Sequence, residues 1–409
     1  MAISFKESVF VGLQDFWLRK IRSFITVFGI ILGTMSIIVI LSLVKGINNY
    51  STGFMMANGG LKRINVNINR EYENPKKLKE YLEWSEFEFL MSKLPEAENF
   101  DAKIRNWGQI SYGQNKYNCS VSGVLPGMSK VEEWDVSAGR FIKNYDAQKA
   151  TNVIVIGSEI KKRLFGNKNP VGEYITAKKQ RFMVIGVMEH RYLKKMAGDF
   201  GSKNSLAYLN RRAFIPLSTM IKRVSPNRKI QSLSVRIKDP SQALEVQNKL
   251  EDLLLNLRRG EPVFEIESNK ETMESMKKNF KYFYIISFLL SGISLIVGGI
   301  VIMNIMLATI QERTREIGIR LATGARRRDI FIQFLVQAAV ITSIGGIIGV
   351  FLGFFIKNTV SKFIGIDALT DFYMVILSVS VSAGVGLIFG IIPAVRAANL
   401  DPVKALRHE

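Results

Sequence analysis

Four stretches without a single charged residue, 24–44, 282–310, 330–356 and 372–395, set the terms on which this chain can fold. Each exceeds the roughly 20 residues that a helix needs to cross about 30 Å of hydrocarbon. Inside a bilayer only a helix or a closed barrel satisfies every backbone N–H and C=O. The competing reading is four core helices of a large soluble protein, but a buried soluble helix rarely runs so far without a charge. The stretches therefore read as transmembrane helices 1 to 4.

Residues 45–281, between the first two spans, are mostly polar and long enough for a folded domain of their own. Orientation follows from the Lys/Arg bias of the short segments. Lys6, Arg19, Lys20 and Arg22 precede the first span in segment 1–23. Arg313, Arg315, Arg320, Arg326, Arg327 and Arg328 lie in the loop 311–329, and Arg396, Lys404 and Arg407 in the tail 396–409. Four spans put all three segments on one side. They are expected in the cytoplasm with both termini, leaving 45–281 and the short loop 357–371 outside, as in a multi-pass protein of the cell membrane.

The net charge of +21 exceeds what this asymmetry needs, because the outer domain is itself basic at 161–163, 178–181 and 191–195. A solvated face near anionic headgroups is the expected reading. Nucleic acid is not an expected partner for a domain outside the membrane. Cys119 is the only cysteine, so no intrachain disulfide can form. The first span has a basic flank like a signal peptide, yet its apolar run is too long and no small-x-small cleavage site follows, which reads as an uncleaved anchor.

Residues 1–20 place Phe5, Val9, Phe10, Leu13, Phe16 and Trp17 at helical spacing, an amphipathic helix for the inner membrane surface or a core-packing one. In the outer domain, 63–70 alternates with Ile64, Val66 and Ile68 on one face, the period of a half-buried strand. Strands are expected at 153–156, at 174–177 and 182–187 as a hairpin, and at 232–238 and 263–266. A helix is expected from Asp239-Pro240 to about Arg258, and helix-like spacing covers 74–100. Ser268 and Glu271 have capping-box spacing, and no proline or glycine interrupts 272–290. One helix is thus expected to run from the outer domain into span two.

Small residues recur at helical spacing in the spans: Gly29 and Gly33; Gly345, Gly349 and Gly353; Gly386, Gly390 and Ala394. In lipid such stripes permit close backbone approach. Whether the partner helix belongs to the same chain or to a second copy is left open.

Catalytic chemistry is scarce. No Gly-Lys dipeptide occurs in the 409 residues, so the Walker-type phosphate loop is missing from them. His190 and His408 are the only histidines, which leaves no nitrogen–sulfur zinc set and little choice of base for a nucleophile. No ionisable residue lies in the expected spans to mark a proton relay. The loop 311–329 remains, with Glu312, Arg313, Arg315, Glu316 and Arg320 set around Ile317, Ile319 and Leu321, as a short amphipathic helix would place them.

Residues 296–320, IVGGIVIMNIMLATIQERTREIGIR, closely resemble the signature of MacB-like permeases, also grouped as FtsX-like. So do GARRRDI at 324–330, QFL at 333–335, Gly345-Gly346, FGIIPA at 389–394, DPVKALR at 401–407, and RKIRSF at 19–24 followed by GIILG at 29–33. In the outer domain GRF at 139–141, LFG at 164–166, NPVG at 169–172 and VIGV at 184–187 resemble the family's core strands. Two positions depart from the pattern: Val301 stands where a further glycine is common, and Thr323 where an aliphatic residue is usual.

The resemblance implies an α-helical four-span membrane protein with a large mixed α/β extracytoplasmic domain, a porter-like part plus a smaller α/β insert. It implies an ABC transporter permease that acts by mechanotransmission, in which cytoplasmic ATP hydrolysis moves a stalk and outer domain. The expected substrate is a peptide, lipoprotein, toxin or amphiphilic drug at the outer face of the inner membrane. Glu312, Arg313, Arg315, Glu316, Gly318 and Arg320 would dock onto the ATPase, while Gly298, Gly299 and Asn304 join the packing stripes. The chain itself would bind no cofactor and catalyse nothing. ATP and Mg would sit on a separate ABC ATPase subunit, with a permease homodimer and, in some settings, a periplasmic adaptor and an outer-membrane channel as further partners. A transmembrane regulator of a cell-wall hydrolase, as FtsX-like proteins are, is the alternative.

Overall fold

The computed structural model describes residues 20–193, 204–226, 229–365 and 367–406. The expected amphipathic segment 1–20 lies outside them but for Lys20, which opens the first long helix. The chain divides into two compact units, Tyr50–Lys277 and Met1–Asn49 with Lys278–Glu409.

Helix α1 (Lys20–Ala57) runs 38 residues, well past the charge-free core of the first span. The α/β unit then follows with β1 (Arg63–Ile68), α2 (Trp84–Ser92), β2 (Ala97–Tyr112), β3 (Asn115–Val124), β4 (Val136–Gly139), β5 (Val153–Ile156) and α3 (Ser158–Phe165). Next come β6 (Tyr174–Ala177), β7 (Gln180–Met188), β8 (Arg212–Pro216), β9 (Ser232–Ile237), α4 (Ala243–Leu257) and β10 (Phe264–Ser268).

The strand order is β10-β1-β9-β2-β3-β8-β5-β7-β4, with β6 bridging β7 and β2. The long β2 belongs to two structures. Its first part, from Ala97 to Lys103, completes an antiparallel four-stranded sheet with β9, β1 and β10. From Ile104 onward it pairs with β3, and the ladder continues through β8, β5, β7 and β6 back to Ile110 and Ser111 of β2, closing a six-stranded ring. The ring is inserted between β2 and β9, so the porter-like sheet is built from the two ends of the domain and the insert from its middle.

Alternation explains the strands. Ile64 and Val66 are buried in β1 while Asn67 is exposed, and the expected 174–177 and 182–187 hairpin forms with Ile175 opposite Phe182. Phe87 and Leu90 of α2 and Val246, Leu250 and Leu254 of α4 enter one core with Ile64, Val66, Leu233 and Val235. Within 74–100 only Trp84–Ser92 is helical, and β2 already begins at Ala97. The aromatic and aliphatic residues there had mimicked a longer helix because α2 and the start of β2 bury into the same core. Asp239 accepts from the Ser241 N–H (2.8 Å) ahead of α4, as an N-terminal signal should.

The capping box at Ser268 does not form. Ser268 is the last residue of β10, and its buried hydroxyl has no hydrogen-bond partner among the described residues. The start of α5 (Asn269–Glu312) is held instead by Asn269, whose side chain donates to the Gly60 carbonyl (2.8 Å) and the Asn58 carbonyl (3.3 Å) beyond α1. Helix α5 is unbroken over 44 residues, about 66 Å of helix. After it come α6 (Thr314–Ala322), α7 (Arg327–Ile364), α8 (Phe372–Ala398) and α9 (Pro402–Leu406). Among the described residues four helices, α1, α5, α7 and α8, are long and apolar enough to cross a membrane.

The glycine stripes meet helices of the same chain. A methyl group on Gly29 would come 2.8 Å from the Gly298 Cα. One on Gly345 would reach Val27 and Ile30, on Gly349 Thr34, on Gly353 Ile38, and on Gly33 Leu295. Gly386 faces Thr342, Gly390 faces Ala338 and Gly299 faces Phe389 in the same manner. Asn304 is different. It is exposed, on the opposite side of α5 from the buried Ile302 and Met306, and so is no part of this packing.

The expected loop 357–371 is shorter than its charges suggested. Helix α7 continues to Ile364 and ends at Gly365 in the left-handed region (φ 71°). Lys357 is therefore helical and buried, donating to the Ala368 carbonyl (3.2 Å) and the Thr370 hydroxyl (2.9 Å), while Lys45 pairs with Asp371. The loop folds back over the lysine and satisfies it.

The Gly29–Gly298 approach leads to a stability prediction. Overpacking costs about 1–3 kcal/mol, so Gly298→Val should lower the melting temperature of the detergent-extracted protein. Gly384→Ala, which meets nothing within 4 Å, should leave it unchanged. Equal effects in scanning fluorimetry would refute the packing role.

Candidate functional site

The charged segment after α5 forms a distinct surface. Arg313 breaks the helix geometry and caps α6. Thr314 returns its hydroxyl to the Ile310 carbonyl (2.9 Å), keeping the join tight. Ile317 and Gly318 turn inward, and a methyl group on Gly318 would come 2.6 Å from the Ala405 Cβ of α9. Gly318 thus lets α6 and α9 pack and does not belong to the outer face. Glu316 and Arg320 form an i,i+4 ion pair, and Arg320 also donates to the Gln333 side chain (3.1 Å) on α7. Gly324 makes the following turn at φ 99°.

What stays outward is Glu312, Arg315, Glu316, Ile319 and Thr323. Ile319 was expected on the apolar face, yet it is 46% exposed among the charges. An exposed apolar side chain thus sits among charges, one of which, Glu316, is paired with Arg320.

A second constellation lies in the α/β unit, and periodicity gave no sign of it. The buried Glu132 carboxylate accepts from Lys103 of β2 (2.5 Å) and from both terminal nitrogens of Arg212 of β8 (3.1 Å each), with Arg63 of β1 at 3.7 Å. Burial alone would raise the Glu132 pKa, but Arg212, Lys103 and Arg63 together hold it well below the ordinary 4.5. Asp101, 3.2 Å from Lys103, is raised instead, because burial outweighs its single cationic neighbour.

Arg191 completes the joint. Its guanidinium lies over the Trp134 ring (4.7 Å) and donates to the carbonyls of Ala57, Glu132 and Glu133. The last residue of α1 is thereby tied to the Glu132 turn, a few residues from where Asn269 binds Asn58 and Gly60. Arg191 was expected on the solvated basic face; it acts inside. The only signals available beforehand were the charges Asp101 and Lys103 at alternate positions of an apolar strand.

Elsewhere the described residues offer little for catalysis. The Ser158 hydroxyl and His190 Nδ1 are 2.8 Å apart on the surface, and no carboxylate hydrogen-bonds that ring among them. No cluster of three or more His, Cys, Asp or Glu could hold a metal among the described residues. Cys119 is buried, which pushes its thiol pKa up to about 12.

The sequence matches the MacB-like periplasmic core domain over residues 23–253 and the FtsX-like permease C-terminal domain over 288–402. The chain belongs to this MacB-like, FtsX-like family of ABC transporter permeases, and is a multi-pass membrane protein. It is similar to the macrolide export ATP-binding/permease protein MacB of Bdellovibrio bacteriovorus, at 30% identity over 98% of this chain and 62% of that protein. It is also similar to the pyoverdine export ATP-binding/permease protein PvdT of Pseudomonas aeruginosa, at 32% identity over 98% and 59%. The chain thus spans about three fifths of the length of these relatives. Among solved structures, the periplasmic region of MacB from Actinobacillus actinomycetemcomitans matches at 19% identity and a TM-score of 0.45, over 54% of this chain and 94% of that one.

The Glu132 joint carries a stability prediction with a defined pH dependence. Glu132→Gln leaves Lys103, Arg212 and Arg63 without their shared anion and should destabilise the protein by about 3–5 kcal/mol in denaturant titration at neutral pH. An acid with a lowered folded pKa stabilises above its unfolded value and loses that contribution as pH falls through the folded one. The gap between wild type and variant should therefore be full above about pH 4.5 and shrink only below it. A gap that shrinks on moving from acid to neutral pH would contradict the assignment.

Proposed function

We propose that this chain is the permease through which an ABC ATPase drives export or extraction of a substrate from the outer face of the membrane, by transmitting motion and without a path through its spans. In this reading the termini and α6 are cytoplasmic, the α/β unit is periplasmic, and ATP and Mg are bound by the ATPase, a separate subunit. Two copies of the permease pair, and an adaptor and outer channel extend the machine where an outer membrane exists. The relatives' names, macrolide export and pyoverdine export, support export as the direction of transport.

The observation that carries the proposal is the placement of α6. Its outward patch of Arg315, Glu316 and Ile319 follows directly on α5, an unbroken helix that begins at the last strand of the α/β unit. A helix without a proline or a break resists bending, so a push at one end arrives at the other. At that far end, Asn269 is fastened to the residues following α1, so a displacement of α5 acts on the base of the domain.

Glu316→Lys should test this. The variant places two cations at i,i+4 where an ion pair stood and reverses the sign of the patch. The ATPase that co-purifies with the tagged permease in mild detergent should be recovered with roughly tenfold lower affinity, about 1.4 kcal/mol, and its stimulated ATP hydrolysis should fall with it. Glu316 is half exposed, so the melting temperature should stay within about 0.5 kcal/mol of wild type in equivalent stability. Normal stimulation by the variant would disprove the docking role, and recovery of a wall hydrolase in place of an ATPase would favour a regulator.

A further inference from the structure

The α/β unit contains a cavity of ≈ 470 Å³ that the transmission of motion does not use. Its apolar walls are Trp84 of α2, Leu125 after β3, and Leu217 and Ile221 after β8; its polar side is Gln148 and Lys222. We infer that this cavity binds an amphiphilic anion, with an aryl or acyl body against Trp84, Leu125 and Ile221 and a carboxylate at Lys222.

Size and lining fit a small-molecule site, which is typically a few hundred Å³, mainly apolar, with a few convergent polar groups. The walls are also pinned in place. Residues Met220–Val224 form a π-helical turn, closed by the Ser225 N–H on the Met220 carbonyl (2.7 Å). Turns of this kind are uncommon and gather at functional sites. The turn is anchored by the Ser218 hydroxyl donating to the Ala147 carbonyl (2.5 Å) and by Thr219 donating to the Thr151 carbonyl (2.9 Å). Met220 fills the space over Gly123, where a methyl group would come within 2.4 Å of it. A pocket fixed from below needs no ordering when a ligand arrives.

The sign of the ligand follows from the charges. Among the described residues Lys222 is the only charged one lining the cavity; the exposed Lys149 and Arg223 adjoin lining residues in sequence, as does Glu83, which is paired with Lys79. Glu88 is taken up by the Trp84 indole N–H (2.6 Å) and does not line the cavity. A cationic amphiphile would find no counter-charge there, whereas a carboxylate would find the lysine and the Gln148 amide. Trp84 is 39% exposed, as an aromatic at an unfilled mouth would be.

The inference rests on the cavity and not on the transport reading, so it is tested without ATP, on the full chain in lipid nanodiscs. The water-soluble photoprobe 4-benzoylbenzoate is irradiated with the protein and the labelled peptides are located by mass spectrometry; (4-benzoylbenzyl)trimethylammonium serves as its cationic counterpart. The anion should label the segments around Trp84 and 217–222, and the cation should not. Lys222→Glu, on the surface and harmless to folding, should cut the labelling roughly fivefold, and Leu125→Trp should block it by filling the cavity. Displacement of the label by laurate would assign an acyl ligand, and displacement by the free acid of Ala-Ala-Phe a peptide end. Labelling confined to the spans, equal labelling by the cation, or an unchanged yield in Lys222→Glu would overturn the proposal.

Discussion

One buried carboxylate, that of Glu132, gathers cations from both the four-stranded sheet and the ring of the α/β unit. Taking a charge out of water costs several kcal/mol, and only close, well-directed partners offset this. Lys103, Arg63 and Arg212 come from three strands, β2, β1 and β8, of which the first two belong to the four-stranded sheet and the last to the ring. The buried anion depends on these three cations, and Arg212 on the anion, whereas Lys103 also reaches Asp101. The arrangement therefore fixes where ring and sheet join, in a way that interchangeable apolar contacts would not. Through Arg191 and the carbonyls of Ala57, Glu132 and Glu133 the same cluster fixes where α1 ends.

The spans depend on a different physics. Lipid supplies no hydrophobic drive between helices, so close packing must do it. At Gly29 and Gly298 two backbones approach within the space a single methyl group would occupy, and Gly349 makes room for the Thr34 hydroxyl, which is itself returned to the Ile30 carbonyl (2.8 Å). The Thr34 and Thr342 hydroxyls return to carbonyls of their own helices, Ser382 donates across to the Thr342 carbonyl (3.0 Å), Lys357 is met by a loop folded over it, and the buried Ser291 hydroxyl has no partner among the described residues.

Much of this was legible in the sequence, and the reasons for the remainder are specific. Length and absence of charge sufficed for the four spans, because the bilayer imposes a threshold that local sequence alone can meet. Alternation sufficed for β1 and β6, where one face is core and the other is wetter, and an unbroken apolar run sufficed for β5, which is buried on both faces. Periodicity gave no sign of β2 around Asp101 and Lys103, where charged side chains are interior and no alternation marks the strand. The Ser268 cap failed because the strand before it continues two residues further, to Ser268 itself, and Asn269 found carbonyls some two hundred positions away. The segment after α5 was legible as charged and amphipathic, but which of its residues turn outward was not. That depended on α9, whose Ala405 claims Gly318 and so rotates Ile319 toward solvent.

The closure of the six-stranded ring also governs how two copies of this domain can meet. A closed ring has no free edges, so among the described strands only β10 and β4 have a neighbour on a single side. The β4 edge is four residues long. The β10 edge exposes Glu265 and Glu267, and pairing it with its own copy would set like charges against each other across the new ladder. Strand addition, the cheapest way for a sheet to aggregate or dimerise, is thus disfavoured at both margins of the described strands.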